Sequence, residues 1–128
     1  MSAICLDSSG WIEITHDGAN AKAFAQALAS SAPIIVSTIS LYEIAKYTLR
    51  VAGESAAEEL LACLHLHTVI PVSSEIATLA ATLGTLHKLA TADALIYATA
   101  LIHKATLWTQ DDDFEGLPNV RYFPKIKL

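Results

Sequence analysis

Six aspartates occur in the 128-residue chain, and half of them are consecutive, in the stretch TQDDDFEG at residues 109–116. Three like charges in a row repel one another. Asp111, Asp112 and Asp113 therefore belong to a solvated turn, to a helix cap, or to a site whose bound cation offsets them. Three other acids stand where apolar and polar sequence meet: Asp7 after AICL, Glu43 in SLYE and Asp93 in TADAL. Each has a local explanation too. Asp7 suits the cap of a helix starting at Ser8 or Ser9, and Asp93 suits a helix start through the macrodipole. Ser40 and Glu43 have capping-box spacing, as do Ser55 and Glu58. Convergence is what would make these acids chemical. Carboxylates gathered without cysteine form the oxygen donor set that hard cations such as Mg²⁺ or Mn²⁺ take, rather than a zinc set.

The elements that must gather them are legible in the apolar periodicity. AICLD, PIIVS, TLWT and NVRYF read as short strands and TVIPV as a strand or extended segment, with Pro33 admissible as the first residue of its strand. Between them, SSGWIEI, NAKAFAQALAS, SLYEIAKYTLRVA, ESAAEELLACLHL, SSEIATLAATLGTLHKL and TADALIYATALIHKA read as helices. Gly53 is a stop between the third and fourth, and Gly84 weakens the fifth near its end. Short apolar strands alternating with helices predict a parallel sheet covered on both faces. The expectation is one three-layer α/β/α domain over residues 1–128, with a central parallel sheet of about five strands. In such a sheet, helices that follow strands start at the carboxyl edge, where ligands bind. Asp7 ends the first strand, Glu43 falls in the first turn of the helix after the second, Asp93 opens the helix leading into the fourth, and Asp111 follows the fourth. Four carboxylates from distant parts of the chain are thus predicted on one rim.

Composition narrows the function classes. Hydrophobic residues make up 53% and charged residues 16%, which excludes a disordered chain and leaves apolar surface for a partner to cover. The net charge of −5 argues against a general polyanion binder, so contact with nucleic acid must be local. Two basic groups offer it: Lys46 with Arg50, and the trio Arg121, Lys125 and Lys127. Lys46 and Arg50 follow Glu43 by three and seven residues, hence share its helix face, either as a solvated stripe or as a grip on a phosphate backbone. The N-terminus lacks a basic region and no apolar run reaches membrane-spanning length, so the expectation is a cytoplasmic protein without a membrane segment. Cys5 and Cys63 read as two reduced, core-like thiols. His65 and His67 read as helix-end histidines, and Trp11 and Trp108 as core or rim packing.

Taken in order, LDSSGW, VSTISLYEIAK, TADALIYATAL and LWTQDDDF resemble the PIN-domain nucleases, and among them the VapC-type toxins of bacterial toxin–antitoxin pairs. The resemblance runs over nearly the whole chain, and its most specific part is the last two motifs at their spacing. It implies an acidic site of Asp7, Glu43, Asp93 and Asp111, with Asp7, Asp93 and Asp111 as metal ligands and Asp113 as an auxiliary acid. Thr109 or Ser8 would position a carboxylate or the phosphate. It further implies a Mg²⁺- or Mn²⁺-dependent ribonuclease, a cognate VapB-type antitoxin and a homodimer. The chain departs from the pattern at Gln110, where an arginine often precedes the aspartate, which puts substrate grip in doubt. A phospho-acceptor receiver domain has the same layers but needs an acid at the end of strand three, and TVIPV has none. The remaining alternative is a catalytically silent PIN-like domain that binds RNA or protein.

Overall fold

The computed structural model describes residues 2–126, and Lys127 of the C-terminal basic trio lies outside them. Among the described residues, five strands form one all-parallel sheet in the order β3-β2-β1-β4-β5, where β1 is Ile4–Leu6, β2 Ile34–Ser37, β3 Thr68–Ile70, β4 Thr106–Thr109 and β5 Val120–Tyr122. Six helices connect them: α1 Ser8–Thr15, α2 Ala21–Ala29, α3 Thr38–Ala52, α4 Glu54–Leu64, α5 Ser74–His87 and α6 Thr91–Ile102. The three-layer parallel architecture read from the sequence is the one observed.

Strand alternation explains the layers. Ile4 and Leu6 of β1, Ile34 and Val36 of β2 and Trp108 of β4 pack on one face with Trp11, Phe24, Ile44 and Leu64. Cys5, Ile35 and Leu107, one step along each strand, pack on the other face with Ile76, Ile96 and Tyr97 from α5 and α6. Side chains along a strand point alternately to opposite faces, so a strand covered on both sides is apolar at successive positions, with polar Ser37 and Thr109 at the ends of β2 and β4. Gly10 lets α1 close on α2, since a Cβ there would lie 2.9 Å from Cδ1 of the buried Phe24 ring.

The ends of α3 decide where Glu43 goes. The helix begins at Thr38, with the Ser37 hydroxyl accepting from the Ile39 N–H, so the expected Ser40–Glu43 capping box does not form. The hydroxyl at the end of β2 reaches the open N–H groups first. Ser40 is instead fully buried inside the helix, and Glu43 sits in its second turn rather than its first. The Ser55–Glu58 pattern is likewise unused, because α4 starts at Glu54 after Gly53. Gly53 adopts φ 91° and ψ 179° between α3 and α4, a conformation nearly closed to other residues. Gly53→Ala is expected to cost about 1–3 kcal/mol. Urea unfolding checks this, with a lower midpoint and an unchanged slope.

The thiols differ. Cys5 is buried, and the loss of hydration pushes its pKa up to about 12, with the Asp7 charge adding to it. Cys63 is exposed on α4, which corrects the expectation of two core cysteines: its helical position falls outside the apolar stripe that buries Leu64. Among the described residues no helix is long and apolar enough to cross a membrane.

Candidate active site: an acidic rim at the carboxyl edge of the sheet

Parallel register builds the rim. Leu6 lies opposite Trp108, and the Asp7 N–H donates to the Trp108 carbonyl at 3.0 Å, so the chain leaves β1 beside the end of β4. Asp7 is therefore next to Thr109. Its carboxylate is almost wholly buried and takes three donors: the Ser8 N–H at 2.8 Å on Oδ1, and the Ser9 and Thr109 hydroxyls at 2.9 and 2.8 Å on Oδ2. Burial raises its pKa, with these three hydrogen bonds opposing the rise and the Glu43 charge adding to it. Asp7 also caps α1, so the local explanation and the placement on the rim both hold.

Ser8 faces the other way. Its hydroxyl donates to Glu43 Oε1 at 2.7 Å, which ties α3 to the first turn of α1 and turns Glu43 toward the rim. Asp93 is the third residue of α6 and makes no cap contact of its own; the cap position is held by Ala90. Its pKa rises to about 7, first through loss of hydration and then through the charges of Asp7, Asp111, Glu43 and Asp113. A carboxyl repelled by four others is the electrostatic signature of convergence.

The three consecutive aspartates divide their labour. Asp111 caps a single 3₁₀ turn at Asp112–Phe114 by accepting from the Asp113 N–H at 3.0 Å, and the turn is anchored by the buried Phe114 ring. That turn swings Asp113 back toward Asp111. Carboxylate oxygens of Asp93, Asp111 and Asp113 all lie within 4.8 Å of one another, the one such acid, histidine or cysteine group among the described residues able to hold a metal ion. Asp112 is exposed and outside it. Asp7 is also outside that group, although its charge reaches Asp93. Asp113, an auxiliary acid by the resemblance, thus belongs to the group, and Asp7 lies buried outside it. All-oxygen donors at this spacing fit a hard divalent cation.

Thr109 links the two halves. It is fully buried, donates to Asp7 and accepts from the Asp111 N–H at 3.0 Å. Ser9 was missed in the sequence as an orienting group; the hydroxyl pair after Asp7 was its only signal. Gln110 accepts from the Asn20 amide at 3.1 Å, which also donates to the Pro124 carbonyl, so this side chain braces the α1–α2 connection against the chain after β5. Lys46 and Arg50 do share a face with Glu43, lining with it a recess of about 300 Å³. The histidines and tryptophans take structural places. His65 Nδ1 bonds to the Leu61 carbonyl at 2.8 Å, His67 packs on Trp11 at 5.7 Å between ring centres, and both tryptophans are buried.

A parallel α/β domain carrying clustered carboxylates at its carboxyl edge defines a class of acidic-site folds. Residues 4–119 match the PIN domain, and the chain belongs to that family. Among curated proteins none matches. Among solved structures, a chain of a toxin–antitoxin complex from Klebsiella pneumoniae is 27% identical with a TM-score of 0.83, covering 97% of this chain and 100% of that one. VapC20 from Mycobacterium tuberculosis, a Sarcin-Ricin loop cleaving toxin, is 23% identical with a TM-score of 0.74, covering 93% and 99%, a likeness of fold. VapBC2 from Rickettsia felis, bound to a fragment of its promoter DNA, gives 19% and 0.74, covering 95% and 98%.

Proposed function

We propose that residues 1–128 form one PIN domain acting as a divalent-metal-dependent endoribonuclease, the VapC-type toxin of a toxin–antitoxin pair. The observation that carries this reading is the meeting of Asp93, Asp111 and Asp113 oxygens within 4.8 Å, beside a buried Asp7 and a hydroxyl-held Glu43. Membership of the PIN family and likeness to a chain of a toxin–antitoxin complex support it. A cognate VapB-type antitoxin, a second copy of the chain and RNA are the proposed partners. An unrestrained ribonuclease would damage its own cell, so a blocking partner follows from the activity.

Asp93 and Asp111 would hold the cation, with Asp113 and the buried Asp7 beside them. When bound there, Mg²⁺ or Mn²⁺ lowers the pKa of a water molecule and offsets charge on the phosphoryl oxygens. The side chains do the positioning. Thr109 and Ser9 fix the Asp7 carboxylate, and Ser8 fixes Glu43, whose role is to orient the attacking water. Asp93 holds a proton up to about pH 7, so cation binding competes with protonation and strengthens as pH rises through that range.

Cleavage of a panel of labelled structured RNAs by the purified protein tests the reading. Cuts should require Mg²⁺ or Mn²⁺ and vanish with EDTA; metal-independent cuts, or none across the panel with metal present, would sink it. Lys46 and Arg50 are assigned to the RNA backbone. Lys46→Ala and Arg50→Ala should each weaken RNA binding and lower the slope of log affinity against log salt by roughly 0.7, one phosphate contact on a single strand. Affinity unchanged in both would remove the assignment.

A further inference from the structure

The outer face of α3 carries an aromatic ring that the folded chain leaves open. Tyr42 is 63% exposed, although the ring is large and the helix around it is regular. Tyr47, one turn on, is already engaged. Its hydroxyl meets His16 Nε2 at 2.6 Å, the His16 ring stands edge-on to it, and the Arg50 guanidinium lies 5.4 Å from its ring centre. Among the described residues, the Tyr42 ring has only the Lys46 ammonium against it, 5.7 Å from its centre, near the outer limit of a cation–π contact.

Tyr42 lines two recesses, and Lys46 and Arg50 line both with it. One, of about 300 Å³, also contains Glu43, and the other, of about 530 Å³, extends along Ala45 and Leu49. A flat exposed ring with one cation against it and a second lining the same recesses, next to an acid of the candidate site, is how proteins hold a nucleobase while gripping its phosphates. We propose that Tyr42 stacks on an unpaired base of the RNA strand held at the acidic rim, with Lys46 and Arg50 on the adjoining phosphates. This rests on the ribonuclease reading above.

A second copy of the chain is the rival occupant, since Leu49 and Val51 are also half exposed. Charge disfavours it. Glu43 is the only acid between Thr38 and Ala52, and its carboxylate is turned to Ser8, away from a facing copy. A two-fold contact through this stripe would set Lys46 and Arg50 of one copy against the same residues of the other with no acid between them. A polyanion meets the same face with complementary charge.

The test uses the full chain carrying Asp93→Asn to stop turnover, in Mg²⁺, with fluorescence anisotropy of a labelled single-stranded RNA. The comparison strands are one with abasic positions and one annealed to its complement. Tyr42→Ala should weaken binding of the intact single strand about tenfold, the size of one base–aromatic stack. Tyr42→Phe and Tyr42→Trp should keep it, while the abasic and duplex affinities stay as they were and the thermal midpoint does not move. Unchanged single-strand affinity in Tyr42→Ala, or equal weakening on the abasic strand, would overturn stacking and leave the ribonuclease reading standing. Loss of a dimer by sedimentation with RNA affinity intact would make Tyr42 a contact between copies and overturn it too. If the protein with Tyr42 intact binds none of the RNAs, stacking fails; if the wild type also cuts none of them in Mg²⁺, the ribonuclease reading fails with it.

Discussion

Asp93→Asn should reduce metal-dependent RNA cleavage by roughly 10²–10³-fold or more while making the metal-free protein more stable above pH 7. The two effects have one cause. Asp93 titrates at about 7 in the folded chain against an ordinary 3.8, because its hydration is restricted and four acids surround it. Between those values the folded form keeps a proton that the unfolded form has lost. The stability associated with that proton is complete below pH 3.8 and is lost as pH rises to about 7. Asparagine has no charge to expel, so the variant should show a flatter fall in thermal midpoint across that window. Part of the slope remains in it, since Asp7 is also raised by burial. Added Mg²⁺ should reverse the ranking, because a cation bound only by the folded wild type raises its midpoint in proportion to the logarithm of concentration. Melting curves in EDTA and in Mg²⁺, from pH 4 to 9, read both. A variant no more stable than wild type in EDTA at high pH would contradict the crowding of charge at Asp93.

Thr109→Val should weaken divalent-cation binding by about 10–100-fold and cost about 1–3 kcal/mol of stability, although valine has nearly the same shape. The hydroxyl both donates to Asp7 Oδ2 and accepts from the Asp111 N–H, in a place no water reaches. Without it, Asp7 loses one of the three donors that oppose its raised pKa, and Asp111 loses the contact that sets the start of its turn. Thr109→Ser keeps the hydroxyl and should restore most of the binding, at the expense of a methyl group's packing. Urea unfolding and a Mn²⁺ titration of the three proteins separate the losses. Wild-type affinity in Thr109→Val would show that the bridge does not order the acids.

The order of layers and the rim were legible because they rest on strong local signals. Ile4–Leu6, Ile34–Ser37 and Thr106–Thr109 are buried at nearly every position, which only a strand covered on both faces requires. Helices between them fix a parallel sheet, and a parallel sheet fixes the edge at which Asp7, Asp93 and Asp111 arrive. What could not be read depended on contacts between distant segments. The strand order follows from packing, and with it the register that sets Asp7 beside Thr109. The start of α3 turned on whether Ser37 or Ser40 reached the open N–H groups first, and two hydroxyls three residues apart look alike in sequence. Asp113 joined Asp93 and Asp111 through a 3₁₀ turn pinned by Phe114, a shape too short to leave a periodic trace. Cys63 was misread because a helix with alanines on two sides has a poorly marked apolar stripe.

That the acidic rim is a divalent-cation site is tested most directly by titrating Mn²⁺ into the purified protein, wild type and Asp93→Asn, with calorimetric detection at pH 8. The expected result is saturable binding to the wild type that is weakened at least about 100-fold in the variant, as the loss of a ligand from an all-oxygen set requires. Equal affinity in the two proteins, or no saturable binding to the wild type, would contradict it.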